Sequence, residues 1–165
     1  MARTPVRVAD VGGWTDTWFG SPGQVCSLAM GPAVEVEAAM VARPEDGVVH
    51  LRAPAVDLDL VIGPDPLAGW DRPLPGRDPL LEHAVGAILG EVAVPDDVGI
   101  DLHVASAVPP GASLGTSASV LVAVLGALDA LVAGGHRSPE DLARLAHEVE
   151  TGQAGREAGV QDQWA

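Results

Sequence analysis

The sequence contains no lysine; its nine basic residues are all arginine. This excludes a Walker-type phosphate loop, which needs a Gly-Lys pair, and any Schiff-base lysine. Cysteine is nearly absent too. Cys26 stands alone, so no internal disulfide can form, and the chain fits a reducing compartment. A single cysteine of this kind reads as a small apolar core residue. No His or Cys has a partner at zinc-ligand spacing. The N-terminus lacks the apolar core of a secretory signal. The longest stretch without formal charge, Leu102 to Leu128, is broken by Pro109, Pro110 and Gly111. It reads as strand, loop and helix, not as a membrane span. A cytoplasmic protein with no membrane partner is the expectation.

Positive charge is scarce: nine basic residues face 23 acidic ones, a net charge of −14. Nucleic acid is excluded as a partner, because its affinity rests on basic contacts to phosphate. Anionic membranes are disfavoured for the same reason. A nucleotide can bind only where the local site overcomes this field, with backbone N–H groups and a metal ion as the means. What is present is a chain of 165 residues, 47% hydrophobic, with 20 Gly and 14 Pro. That is enough for one domain with a real core, built from short elements and frequent turns.

Val6 to Val11 reads as a short strand. Val34, Val36, Ala38 and Met40 alternate with Glu35, Glu37 and Ala39, the period of a half-buried strand. Pro44 to Gly47 is a turn, and strands are expected over 48–53 and 56–61. A Pro/Gly-rich loop follows from Gly63 to Gly76. Asp78 and Pro79 then suit an N-cap and first helical position, with apolar residues from Leu81 to Val92 at helical spacing. Ile100, Leu102 and Val104 predict another strand, and residues 117–132 a helix rich in Ala, Leu and Val. Ser138-Pro139-Glu140-Asp141 is a capping box opening a helix whose apolar face is Leu142, Leu145, Ala146 and Val149. Residues 152–159 form a loop, and a further helix is expected to begin near the last residue. Strands first, then helix, strand and two helices: this is an α+β domain.

The most informative segment runs Val108-Pro109-Pro110-Gly111-Ala112-Ser113-Leu114-Gly115-Thr116-Ser117-Ala118-Ser119. It joins a strand to a helix. Two glycines let backbone approach a ligand, and two hydroxyls sit where the helix starts. A helix N-terminus presents unpaired N–H groups and the positive end of its dipole, an anion site without a charged side chain. By composition alone the segment is equally an ordinary Pro/Gly turn before a Ser/Thr-capped helix. Near the N-terminus, Arg7 to Asp16 holds Gly12-Gly13-Trp14-Thr15-Asp16 on and after the first strand. Trp14 could present its apolar face to a ligand or pack in the core. Near the C-terminus, Gly159-Val160-Gln161-Asp162-Gln163-Trp164 delivers an aspartate from a glycine loop. By itself an aspartate there is a helix cap.

In this order the three segments resemble the motifs of the GHMP kinases. The middle one is similar to the Pro-x-x-x-Gly-Leu-Gly-Ser-Ser-Ala loop that wraps ATP phosphates, with Ser113 in place of the usual Gly and Thr116 in place of a Ser. If that position needs positive φ, the Cβ of Ser113 tightens the loop. The Gly-Gly-Trp-Thr-Asp version of the first motif, nine residues from Arg7 to Asp16, resembles fucokinases and the related heptose phosphate kinases. The resemblance implies the following. Pro110, Gly111, Ala112, Ser113, Leu114, Gly115, Thr116, Ser117 and Ala118 would bind ATP. Ser117 and Glu150 would hold Mg²⁺, with Glu148 a competing candidate. Gly13, Trp14, Thr15 and Asp16 would bind the sugar. Asp162 would act as the catalytic carboxylate, paired with Arg7. The implied fold is the GHMP N-terminal domain, related to a ribosomal-protein fold: a mixed sheet with helices on one face.

The expected function is an ATP-dependent sugar kinase, or its N-terminal half, acting on an anomeric hydroxyl. Residues 1–165 would be the ATP- and substrate-binding domain, with the family's C-terminal domain missing, so that activity of this chain alone is doubtful. A missing C-terminal half or a homodimer would be its partner. The competing expectation is a truncated, non-catalytic module that binds nucleotide or a partner subunit. An isoprenoid or homoserine kinase is the runner-up among enzymes. An RNA-binding role is disfavoured by the charge.

Overall fold

The structure, a computed structural model, describes residues 1–17, 19–20, 22–43, 45, 47–63, 79–109 and 111–164. Five strands form one mixed sheet: β1 (Ala2–Val11), β2 (Cys26–Ala42), β3 (Val49–Ala53), β4 (Leu58–Ile62) and β5 (Val98–Ser106). Their spatial order is β1-β2-β5-β3-β4, with β3 and β5 parallel and every other pair antiparallel. Helices α1 (Leu80–Leu89), α2 (Thr116–Leu128) and α3 (Pro139–Glu148) complete the α+β domain. The strand-pattern prediction holds in kind and falls short in length: β1 begins at Ala2, and β2 extends well before Val34.

The alternation on β2 holds for Val34 and Val36; Ala38 is half-buried and Met40, expected in the same row, is exposed. Val34 and Val36 are fully buried beneath the helices, while Glu35 and Glu37 face away. The same parity buries Val49 and Leu51 on β3 and Ile100 and Leu102 on β5. The opposite face is polar and cross-linked: Arg52 meets Asp101 at 2.6 Å, and His50 meets Asp59 at 2.6 Å.

Helix α2 is the centre of the core. Leu121, Val124, Leu125 and Leu128 are fully buried, and the helix packs on β1, β2, α1 and α3. With the π turn that continues it, Asp129–Ala133, it is long and apolar enough to cross a membrane. Burial on several sides accounts for that composition, since a helix surrounded by protein is apolar all round. The turn is anchored by Asp129, which is buried and accepts from Arg137 Nη1 at 2.6 Å. Arg137 Nη2 reaches Glu91 just beyond α1 at 2.5 Å. The hydrogen bond to Asp129 is the main cause that raises the Arg137 pKa.

Several boundary expectations change. Asp78 and most of the 63–76 loop lie outside the described residues, as do Pro44 and Asp46 of the expected turn. Pro79 occupies the N-cap of α1, not its first helical position, and Gly90 ends the helix before Val92. Cys26 is exposed, not a core residue. It begins β2 opposite Val11 at a register shift, at the end of a ribbon where Val8, Val11 and Leu28 are exposed as well. No helix starts at Asp162 among the described residues; Gln161–Gln163 is a turn closed by Gln163 N–H donating to the Val160 carbonyl at 3.3 Å. The capping box stands as expected: Asp141 N–H donates to Ser138 Oγ at 3.1 Å, and Asp141 Oδ2 accepts from Ser138 N–H at 3.3 Å.

Candidate active site

The loop after β5 is laid against the free edge of β1. Arg7 N–H donates to the Leu114 carbonyl at 3.0 Å, and Ser119 Oγ donates to the Pro5 carbonyl at 2.7 Å. This covers backbone groups that an edge strand would leave unpaired. The loop reaches that position through left-handed residues. Gly111, Ser113 and Gly115 have φ of +78°, +58° and +67°. Ser113 therefore does stand where the backbone favours glycine, at a cost of ~1 kcal/mol. At Gly115 a Cβ would lie 3.2 Å from Arg7 Cγ and 3.3 Å from Asp162 Cγ, a tight contact at a position whose φ already favours glycine.

Helix α2 starts immediately after Gly115 with no side-chain cap. Its first helical bond runs from Ser119 N–H to the Gly115 carbonyl, leaving the N–H groups of Thr116, Ser117 and Ala118 without a partner inside the helix. Thr116 Oγ1 is buried and also unpartnered. Residues 111–117 line one wall of a cleft of about 800 Å³. Ala118 is buried behind them. Pro110 lies outside the described residues. The lining also includes Ala55, Val56, Asp57 and Leu58, which the sequence reading missed.

Of the remaining predicted residues, Arg7, Gly13, Trp14 and Asp162 line the cleft, whereas Thr15, Asp16 and Glu150 are not among its lining residues. Arg7 Nε donates to Asp162 Oδ1 at 2.6 Å, and Arg7 Nη2 forms an ion pair with the same oxygen. Gly13 and Trp14 line the cleft beside them. Trp14 is exposed, with φ +72°, and its ring centroid lies 6.1 Å from that of Phe19. It is not a core residue. Asp16 Oδ2 accepts from Gln161 N–H at 2.8 Å, while its Oδ1 is buried with no partner. Thr15 turns its hydroxyl inward, onto the Gly12 carbonyl at 2.6 Å.

Glu150 is buried in the π turn after α3, Val149–Gln153, whereas Glu148 is exposed. Glu150 accepts from Ser117 Oγ at 3.2 Å and from Arg156 Nη1 at 3.3 Å through Oε1, and from Gln163 Nε2 at 2.7 Å through Oε2. Among the described residues no three His, Cys, Asp or Glu side chains form a metal cluster. One carboxylate beside one hydroxyl at the loop nevertheless fits Mg²⁺, which takes few protein oxygens and completes its shell with phosphate oxygens and water. Arg156 was not singled out from the sequence. An arginine inside a glycine loop of so acidic a chain was the available signal.

Residues 80–165 match the family model of the GHMP kinases N terminal domain. The chain belongs to the GHMP kinases. Its relatives in that family carry different names. It is 44% identical over 63 residues to a mevalonate kinase of Pyrococcus horikoshii, covering 38% of this chain and 18% of that protein. It is 34% identical over 129 residues to a galactokinase of Streptomyces coelicolor, covering 77% of this chain and 32% of that protein. The fold superposes on a D-glycero-D-manno-heptose 1-phosphate kinase from Bacteriodes thetaiotaomicron with a TM-score of 0.75 at 20% identity, covering 99% of this chain and 52% of that one. The chain thus spans about half the length of that GHMP kinase structure.

Proposed function

We propose that this GHMP kinase domain binds Mg²⁺-ATP and a sugar and serves transfer of the γ-phosphate to a sugar hydroxyl, the anomeric one of fucose or a heptose phosphate. The observation that carries the reading is the Arg7–Asp162 pair, held at the cleft between the 111–117 loop and the Gly13–Trp14 turn. A module that only bound nucleotide would need the loop and the helix N-terminus. It would have no use for an arginine–carboxylate pair facing the same cleft.

Phosphoryl transfer asks a protein mainly for positioning and charge neutralisation. The N–H groups of residues 116–118 would hold the phosphates. Ser117 and Glu150 would hold Mg²⁺, which would neutralise phosphate charge when bound. Asp16 would accept hydrogen bonds from sugar hydroxyls, with its free Oδ1 as the acceptor. Trp14 offers an apolar face to the ring. Asp162 Oδ2 would take the proton of the attacking hydroxyl, while Arg7 keeps Oδ1 engaged and carries positive charge beside the transferred group. Turnover in this reading needs the second half of the family's fold to close the cleft. The mevalonate kinase matches favour a second acceptor class, a branched hydroxy acid. Trp14 and the unpartnered Asp16 oxygen suit a sugar better, because a ring stacks on an aromatic face and presents several hydroxyls.

Calorimetry and a phosphorylation panel test this. ATP should bind residues 1–165 clearly more tightly with Mg²⁺ than with EDTA. Label from ATP should appear on fucose or a heptose phosphate only when a C-terminal half is supplied. Equal affinity with and without metal would remove Glu150 and Ser117 from the proposed site. Label on mevalonate alone would replace the acceptor.

A further inference from the structure

The turn 161–163 makes three connections with three successive residues. Gln161 holds Asp16 through its backbone N–H, Asp162 holds Arg7 through its carboxylate, and Gln163 holds Glu150 through its side-chain amide at 2.7 Å. Gln163 differs from the other two. It does not line the cleft, and it is 6% exposed. Its amide orientation follows from its neighbour: Nε2 must face the carboxylate, since Oε1 in that place would put two acceptors together. Oε1 is accordingly left buried without a partner. Burying an unsatisfied acceptor destabilises the protein, so the contact that holds it there must matter more than that loss.

Gln163 also acts through its backbone. Its N–H closes the turn on the Val160 carbonyl at 3.3 Å, and that turn presents Asp162. One residue thereby spans the two acidic groups of the site. Its side chain fixes the carboxylate next to Ser117, and its main chain fixes the loop that carries the carboxylate next to Arg7. Of the donors on Glu150, Ser117 and Arg156 both meet Oε1. The Gln163 amide donates to the other oxygen, Oε2, and so bears on the rotation of the carboxylate group.

We propose that Gln163 is a positioning residue that orients Glu150 toward the bound metal–nucleotide and couples it to the Asp162 turn. This rests on the reading of Glu150 as a metal-binding residue. The test uses residues 1–165, Mn²⁺-ATP as the probe, and calorimetry with Mn²⁺ electron spin resonance as readouts. Gln163→Met keeps volume and removes the donor. It should weaken Mn²⁺-ATP binding about tenfold, the effect of leaving one buried carboxylate oxygen unpaired. In the Glu150→Gln background the same change should alter binding less than about twofold, because two sites that act through one contact are not additive. If Gln163→Met melts out, Gln163→Asn withdraws the amide by one methylene and carries the same two expectations. Equal losses in both backgrounds would make Gln163 a packing residue and overturn the inference, as would unchanged binding in Gln163→Met. Failure of the unmodified chain to bind Mn²⁺-ATP would overturn the kinase reading, and this inference with it.

Discussion

Replacing Asp162 by Asn separates chemistry from architecture at the centre of the proposed site. The substitution keeps shape and one acceptor oxygen and removes the charge that Arg7 neutralises. Arg7 Nε lies 2.6 Å from Asp162 Oδ1, and the two side chains are 12% and 26% exposed. A hydrogen bond between charged groups contributes ~1.5–3 kcal/mol. Asp162 keeps a quarter of its surface in solvent, and screening reduces that contribution to about 1–2 kcal/mol. For a domain of this size that lowers the melting temperature by about 2–8 °C. Loss of a proton acceptor in the transition state should cut turnover much further, by about 10²–10⁴. ATP affinity should stay within about threefold, since the phosphate loop is untouched. Melting and calorimetry on residues 1–165 give stability and affinity. Turnover, in the proposed reading, would be measured on the chain joined to a C-terminal half. Near-normal turnover in Asp162→Asn would refute the assignment and leave Asp162 as an anchor for Arg7. A parallel fall in turnover and ATP affinity would mean that the pair is architectural.

Two further outcomes are expected. At Gly159 a Cβ would lie 2.2–2.5 Å from the Asp16 carboxylate, so Gly159→Ala must push Asp16 off Gln161 N–H. The sugar KM of the completed enzyme should rise about tenfold or more while the ATP KM stays within about twofold; equal effects on both would place Asp16 outside the acceptor pocket. Hydrogen bonds from the Ser138 hydroxyl and backbone N–H hold the Asp141 carboxyl below its ordinary value of 3.8. A depressed carboxylate contributes stability above its unfolded pKa and loses it as pH falls through the folded one. The difference in melting temperature between the unmodified chain and Asp141→Ala should therefore be largest near neutral pH and shrink below about pH 4. A difference that stays constant with pH would show that the capping contact does not depend on charge.

What could be read from the sequence was whatever depends on neighbours along the chain. The alternation on β2 and β5 named Val34, Val36, Ile100 and Leu102 as a buried row. Ser138 and Asp141 marked the start of α3. Ser113 stood out as a side chain where the backbone would want none, and its φ of +58° bears that out. Each of these follows from a period, a cap or a φ preference that acts within a few residues. The family motifs could be seen in order for the same reason.

Tertiary structure decided everything that rests on which side of an element faces what. Glu148 and Glu150 are two residues apart near the end of α3, so they point in nearly opposite directions. Periodicity separates them and cannot say which turns inward; packing of the π turn against Ser117 and Gln163 does. Cys26 was misread because composition favours burial, whereas the end of the β1–β2 ribbon is exposed. The approach of residues 55–58 to the cleft and the contact of Arg156 with Glu150 depend on packing between distant segments. Asp162 looked like a helix cap when read locally. It becomes the partner of a residue 155 positions away only because β1 and the last turn meet at Gly115, where a Cβ would sit tightly against both side chains. Local order along this chain is set by short-range sterics and hydrogen bonding. The site is set by long-range contacts, whose geometry exists only once the core around α2 has formed.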